Sequence, residues 1–384
     1  MLFRSLYGNT KSPIRIVKKA IIQPYHSKME NKQAETAIAL LKRLIKTPSF
    51  SMQEDETAQI ISEGFDEKQI PFHRTVNNLW ATNKYFDEKK PTLLLNSHHD
   101  TVQPSSAYTR DPFHPHIEDG KLYGLGSNDA GGCLVSLLTS FAHFYHEQDL
   151  TYNLVMVASA EEEISGENGL KSMLPIIPKI DLAIVGEPTL MDLAIAEKGL
   201  LVFDAKIKGT PGHAAHPNDN NAINKTIEVL KWFKDYKFNK TSDTLGEVKM
   251  TVTQINGGKQ HNAIPAEVYL VVDVRVNDLY TNEEVVEIIK KESPCDVIEP
   301  RSLLLKSSSI PITHPLVQAG IALGMKTYGS PTLSDQSKLS CPSIKLGPGD
   351  STRSHSADEF IYVREIEEGI EKYIELLNNF LRES

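Results

Sequence analysis

The sequence is short of cysteine, of basic charge and of long apolar runs, and each shortage excludes something. Its three cysteines, Cys133, Cys295 and Cys341, are odd in number and far apart, which fits neither a disulfide framework nor a paired-cysteine metal site. They read as reduced thiols of a cytoplasmic protein. No stretch approaches the ~18 consecutive apolar residues of a membrane-crossing helix, so no membrane partner is expected. A formal net charge of -9 opposes nucleic-acid binding, which needs a basic face to release counterions. There is no Gly-Lys-Ser/Thr phosphate loop. In Gly124-Leu125-Gly126-Ser127-Asn128-Asp129 the third glycine of a dinucleotide fingerprint is replaced by Asp129, which counts against a nucleotide-binding enzyme.

Acid is missing altogether from residues 1–28, where Arg4, Lys11, Arg15, Lys18, Lys19 and Lys28 give +6 and leave -15 for the remainder. Pro13 and Pro24 interrupt any amphipathic targeting helix there, and the apolar core of a secretory signal is absent. Residues 1–28 are expected to be a disordered basic tail, or to precede a true start near Met29.

What is present suffices for two domains: 384 residues, 40% of them hydrophobic and 24% charged. Ala37, Ile38, Leu41, Leu44 and Ile45 recur at helical spacing, and a second helix is expected after Ser51 with Glu54 as its capping-box partner. Three short apolar runs, Thr92–Asn96, Asn153–Ala158 and Leu182–Val185, alternate with helical segments such as Leu134–His146, the pattern of a mostly parallel sheet. After Glu197 the pattern changes. Leu201–Ile207, Val248–Ile255 and Val268–Val276 read as half-buried strands around a helix, Asn221–Phe233, and suggest a smaller α+β unit. The chain closes with an amphipathic helix over Val363–Leu381. The predicted architecture is α/β, with a larger domain from 29–189 and 306–384 and an inserted domain over 190–305.

The chemistry gathers at the ends of the apolar runs. Ser97-His98-His99-Asp100 places imidazoles and a carboxylate at the carboxyl end of a strand, where open α/β sheets bind ligands. His98 and Asp100 share one side of an extended chain, so the carboxylate can orient the imidazole. Asp129 stands in a glycine-rich turn at a helix start, placed either as a ligand or as a cap. Glu161-Glu162-Glu163 follows the second run and Glu187 the third. Neighbours on an extended chain face opposite ways, so one glutamate can bind metal while the next reaches a water. His355 adds a loop imidazole near the C-terminus. Two histidines and several carboxylates on separate strand ends suit a pair of divalent ions bridged by one carboxylate, zinc first among them and cobalt second.

In these motifs, His98-x-Asp100, Asp129 before Gly131-Gly132, Glu162-Glu163, Gly186-Glu187-Pro188, and His355 four residues before Glu359, the sequence resembles the dinuclear zinc amidohydrolases and peptidases. That family includes acetylornithine deacetylase, succinyl-diaminopimelate desuccinylase and glutamate carboxypeptidase. The resemblance spans Met29 to the C-terminus. It implies that Asp129 bridges the ions, that His98 and Glu187 complete one site and Glu163 and His355 the other, that Glu162 is the general base, and that Asp100 orients His98. It further implies that 190–305 is a lid and homodimerisation domain, that His213 reaches the active site of a partner subunit, and that Asn262 and Arg275 contact substrate. The expected activity is hydrolysis of a small N-acyl amino acid, N-acetylornithine in arginine biosynthesis first. N-acetylcitrulline, the N-succinyl analogues, succinyl-diaminopimelate and small peptides are alternatives, and Arg353 is a candidate reader of a succinyl carboxylate. A non-catalytic binding protein is disfavoured because all five ligand positions and the base are filled. The sequence departs from the family at Gly131, where lysine is common, at Glu161, where aspartate is common, and in the extra imidazole of His99.

Overall fold

The computed structural model describes residues 32–382, so the basic tail expected over 1–28 lies outside the described residues. A helix over 32–46 buries Ala34, Ala37, Leu41, Leu44 and Ile45 along one stripe, and the helix Asp55–Glu67 buries Ala58, Ile61 and Phe65. The expected Ser51–Glu54 capping box does not form: the helix begins at Asp55 with Glu54 at the cap position, and both side chains are engaged elsewhere. Ser51 donates its hydroxyl to Asp100 at 2.6 Å. The buried Glu54 carboxylate accepts from Met52 N–H at 2.7 Å, Asn77 Nδ2 at 2.9 Å and Glu161 N–H at 3.2 Å.

A nine-stranded sheet forms the body. At its centre Asn153–Ser159, Thr92–His98, Leu182–Val185 and Ser343–Lys345 lie side by side in that order, all parallel. Asn78–Thr82 and Leu193–Glu197 flank them antiparallel. The two central strands Thr92–His98 and Asn153–Ser159 are buried at every position. Alternate residues enter different cores: Leu93, Leu95, Leu154 and Met156 pack with the helices Gly132–Phe144 and Val363–Leu381, while Leu94, Val155 and Val157 pack with Leu170 and Met173. A sheet covered on both faces is what the unbroken apolar runs require.

The chain leaves this sheet at Lys198. Gly199–Lys208, Lys249–Gly257, Glu267–Val276 and Val297–Pro300 form a separate four-stranded antiparallel sheet. Gly199–Lys208 alternates buried and half-buried residues, the mark of a sheet packed on one face. The packed face carries Leu201, Phe203, Val272 and Val274 against Val229 and Phe233 of the helix Ala222–Asp235 and Val285 and Ile289 of the helix Asn282–Glu292. Both helices have side-chain caps: Asn221 accepts from Ile223 N–H, and Thr281 with Glu284 forms a capping box. The span 190–305 thus opens with one strand, Leu193–Glu197, that pairs in the large sheet. Among the described residues no helix is long and apolar enough to cross a membrane.

Candidate metal centre

The parallel strands end together, and the polar residues that follow them meet. Thr92–His98 ends on His98, Asn153–Ser159 runs into Glu162 and Glu163, and Leu182–Val185 leads to Glu187. Asp129 comes from the irregular turn Ser127–Gly131 before the helix Gly132–Phe144, and His355 from the loop beyond Ser343–Lys345. Two sets result: His98, Asp129 and Glu187, and Asp129, Glu163 and His355. Within each, one donor atom per residue lies within 4.8 Å of the others. Asp129 belongs to both. Its Oδ1 lies 3.3 Å from His98 Nε2 and its Oδ2 lies 3.6 Å from His355 Nε2, so each carboxylate oxygen faces a different histidine. Glu187 Oε1 is 3.9 Å from His98 Nε2, and Glu163 Oε2 is 3.0 Å from His355 Nε2.

The electrostatics of this arrangement call for cations. Burial, then the Asp129 charge, pushes the Glu187 carboxyl up to about 8. Burial does the same to Glu162, reinforced by Glu187, Asp335 and Glu163 against the attraction of His98, and holds it well above the usual carboxylate range. Burial alone would depress His98, but its bonds to Asp100 and Asp129 raise it well above an ordinary histidine. The hydrogen bond to Glu163 lifts His355 to about 9. Carboxylates that hold protons and imidazoles that gain them both signal an excess of negative charge, which a divalent ion neutralises. The imidazole and carboxylate donors, in two sets with one shared member, fit two borderline divalent ions.

Support behind these groups comes from buried residues. Asp100 does more than face His98, whose Nδ1 is 3.3 Å from Asp100 Oδ1 and 3.0 Å from the Asp100 carbonyl oxygen. Its carboxylate also accepts the N–H groups of Glu162 at 3.0 Å and Glu163 at 3.1 Å. One side chain thereby fixes parts of both sets and the neighbouring Glu162. Burial would raise the Asp100 carboxyl, but the bond to His98 and the other donors hold it below its ordinary value. The extra imidazole, His99, turns away: its Nδ1 is 2.9 Å from Thr57 Oγ1 and its Nε2 is 2.9 Å from the Asn77 carbonyl oxygen. Burial depresses it to about 4, which keeps it neutral. Gly131 has no room for a side chain, since a Cβ there would fall 2.4 Å from the Gly126 carbonyl oxygen. Glu161 is buried and binds Asn168 through its N–H at 3.1 Å and its Nδ2 at 2.9 Å, closing the turn beyond the glutamates.

A cavity of about 300 Å³ opens on these residues, with Asp129, Glu162, Glu163, Glu187 and His355 on one side and Tyr328, Ser330, Thr332 and Leu333 on the other. Three candidates from the sequence are not brought to it. His213 is exposed on a short strand paired with Ala263–Ile264, and its Nδ1 accepts from Ala215 N–H. Asn262 accepts from Ala214 N–H in the same loop cluster. Arg275, opposite Leu200 in the four-stranded sheet, gives both donor arms to Asp273 at 2.9 and 3.1 Å. Arg353, the candidate reader of a succinyl carboxylate, is bidentate to Glu365 at 2.7 and 2.8 Å and lies over Phe360 and Tyr362. Sequence reasoning missed Glu54 and the buried pair of Lys345 and Glu197, 3.2 Å apart beside the cavity. Lys345, a lone charge between Ile344 and Leu346, carried a signal that could have found it, whereas Glu54, between Gln53 and Asp55, carried none.

The parallel-centred sheet, its two carboxylate–histidine sets around a shared aspartate and the chain's relatives together mark a metal-dependent hydrolase of amides. Residues 94–379 match the model of peptidase family M20/M25/M40, and the chain belongs to that family. It is 30% identical over 385 residues to an acetylornithine deacetylase of Proteus mirabilis, covering 91% of this chain and 98% of that one. It is 26% identical over 374 residues to a succinyl-diaminopimelate desuccinylase of Wolbachia pipientis, covering 89% and 93%. Among solved structures it resembles an M20 metallo-carboxypeptidase from Sulfolobus solfataricus, with TM-score 0.70, 17% identity and coverage of 90% and 99%. A Bacillus subtilis protein described as a dinuclear metal binding peptidase of the M20 family matches with TM-score 0.68, 16% identity and coverage of 90% and 98%.

Proposed function

We propose that the protein hydrolyses the amide bond of an N-acyl amino acid, N-acetylornithine first, as a cytoplasmic enzyme of arginine biosynthesis. The observation that carries the chemistry is Asp129, shared by two potential ligand sets on a cavity that Glu162 also lines. The 30% identity over 91% of the chain supports the substrate. In this assignment His98 and Glu187 would hold one divalent ion and Glu163 and His355 the other, with Asp129 shared between them and zinc preferred to cobalt. Two ions so held would supply Lewis acidity toward the scissile carbonyl and the attacking water. Glu162 lines the same cavity, and with its carboxyl ionised by the charge of the bound ions it would take that water's proton and return it to the leaving amine. Asp100 holds His98 and the backbone of Glu162 and Glu163 in register. Arg275, once released from Asp273, offers a two-armed donor for the substrate α-carboxylate, and Asn262, at the other end of that sheet beside the His213 loop, is a second substrate contact in this assignment.

The same proposal makes the four-stranded unit a homodimerisation surface that presents His213 to the partner's site to stabilise the oxyanion. Ile223, Ile227 and Leu230 form an exposed apolar stripe on the helix Ala222–Asp235, and Lys249–Gly257 is an edge strand with Ile255 exposed, features that ask for cover. A second substrate reading, desuccinylation, rests on the desuccinylase relative at 26% identity. The test is amine release from N-acetylornithine, N-acetylcitrulline, N-succinylornithine and succinyl-diaminopimelate by zinc-loaded wild type and Glu162→Gln. A preference for N-acetylornithine, lost in Glu162→Gln, is expected. Preference for a succinyl substrate selects the second reading, and release from none of the four sinks both.

A further inference from the structure

We infer that Glu359 is a positioning residue that secures the ion site of Asp129, Glu163 and His355 and leaves the site of His98 and Glu187 largely independent. The inference rests on the two-ion assignment above. Glu359 is 2% exposed, and its carboxylate accepts three backbone N–H groups of the turn that presents the bridging aspartate: Asn128 at 2.8 Å, Asp129 at 2.9 Å and Gly126 at 3.1 Å. Its own carbonyl oxygen accepts Gly124 N–H at 3.0 Å. The turn is thus wrapped around one buried acid, and Gly126, at φ +74°, has a path that leaves no room for a Cβ against Thr101.

The same residue ends the segment that carries His355. That segment is tied at its start as well, where the Asn128 side chain accepts Asp350 N–H at 3.1 Å and donates to the Asp350 carbonyl oxygen at 3.0 Å. Between these ties His355 is 54% exposed and adopts φ +57°, with Arg353 before it held by Glu365 and Asp358 after it accepting the Thr109 and Arg110 N–H groups. Two of the three donors of this set, Asp129 and His355, therefore stand on segments that the Glu359 and Asn128 contacts tie together. Only Asp129 does so in the other set. His98 and Glu187 leave adjacent buried strands that are fastened to each other by the Ser97 hydroxyl on the Gly186 carbonyl oxygen at 2.8 Å.

Glu359→Gln replaces one acceptor oxygen with an NH2 that faces an N–H group, so at least one of the three bonds is lost. The experiment titrates zinc into chelator-stripped, full-length wild type, Glu359→Gln and Asn128→Ala, with bound zinc counted per chain and His355→Ala as the benchmark for loss of one site. Wild type is expected to take two equivalents. Glu359→Gln keeps one equivalent at near wild-type affinity and binds the other about 10–100-fold more weakly, the usual effect of removing a contact behind a metal ligand. Asn128→Ala, which cuts the second tie and leaves the acid in place, is expected to lose the same equivalent, and it carries the test if Glu359→Gln does not fold. Two equivalents bound as in wild type by the variants, or equal weakening of both, overturns the inference. Fewer than two equivalents in wild type instead overturns the two-ion assignment beneath it.

Discussion

Lys345 is the sharpest point at which to probe how the cavity wall is held. Its side chain is 3% exposed and that of Glu197 is fully buried, with Nζ and Oε2 3.2 Å apart. Lys345 also donates to Ser330 Oγ at 3.2 Å and Thr332 Oγ1 at 3.1 Å, and Glu197 accepts from Ser334 Oγ at 2.7 Å, so the pair fastens the wall segment 330–334 to two strands of the large sheet. Lys345→Met leaves a buried carboxylate without its cation, which costs about 3–5 kcal/mol, whereas neutralising both partners in Lys345→Met/Glu197→Gln is expected to recover most of that loss. Urea unfolding reads it, and the two tryptophans allow the effect to be placed. Trp80 lies in the large sheet and Trp232 in the smaller unit, so in a Trp232→Phe background the shift belongs to the Trp80 transition. The penalty also carries a pH signature. Burial already holds the Glu197 carboxyl above its ordinary 4.5, and loss of Lys345 pushes it higher. A carboxyl raised in the folded state gives its full stability below the unfolded value and loses it as pH rises through the folded value, at about 1.4 kcal/mol per unit. Lys345→Met is therefore expected to be closest to wild type near pH 5 and furthest from it at pH 8. A cost under about 1 kcal/mol at pH 8, or a double variant no better than the single one, refutes the reasoning.

Asp100→Asn removes a charged acceptor from His98 and from the Glu162 and Glu163 amides, and kcat is expected to fall about 10–100-fold with little change in KM; an unchanged kcat counts against its role. Gly131→Lys must displace the Gly126 carbonyl or Leu41, and the thermal midpoint should drop by the equivalent of about 1–3 kcal/mol; an unshifted midpoint means the turn has slack that its packing does not show. Equal mixtures of His213→Ala and Glu162→Gln chains, each inactive alone, should regain about a quarter of wild-type turnover if His213 acts across a twofold dimer, and no regain would place His213 within its own chain or outside the reaction.

The strand-end chemistry was legible because two signals coincide there. An apolar run such as Thr92–Asn96 announces a buried strand, and the polar residues that interrupt it must then lie at its end, so His98, Glu162, Glu163 and Glu187 could be placed without a fold in hand. The helix Val363–Leu381 was legible for the complementary reason, a long stripe at helical spacing. What sequence could not show is where isolated polar side chains go when their partners are backbone amides far along the chain. Glu54, Asp100 toward Glu162 and Glu163, and Glu359 toward the Asp129 turn all accept N–H groups, and an amide has no residue type to be recognised by. The same blindness produced the Ser51–Glu54 cap, where the helix begins later and both side chains are engaged elsewhere. Nor could the sequence show that Arg353 is engaged by an acid twelve residues on. Nor does any residue pattern announce the cis peptide between Asp129 and Ala130.

The crossing at Lys198 has a consequence for how the chain assembles. The smaller unit is entered and left at neighbouring points: Leu200 N–H bonds the Leu305 carbonyl oxygen at 3.0 Å, and Glu197 pairs with Ser308. Once that unit has folded on its own core, the hundred or so residues between these points behave, for the large sheet, as a connection of a few residues' reach. Loop closure grows only with the logarithm of free length, and here most of that length is no longer free. Early folding of the insert therefore shortens the effective separation between Leu193–Glu197 and Ser343–Lys345, whose pairing places the His355 loop beside the other strand ends.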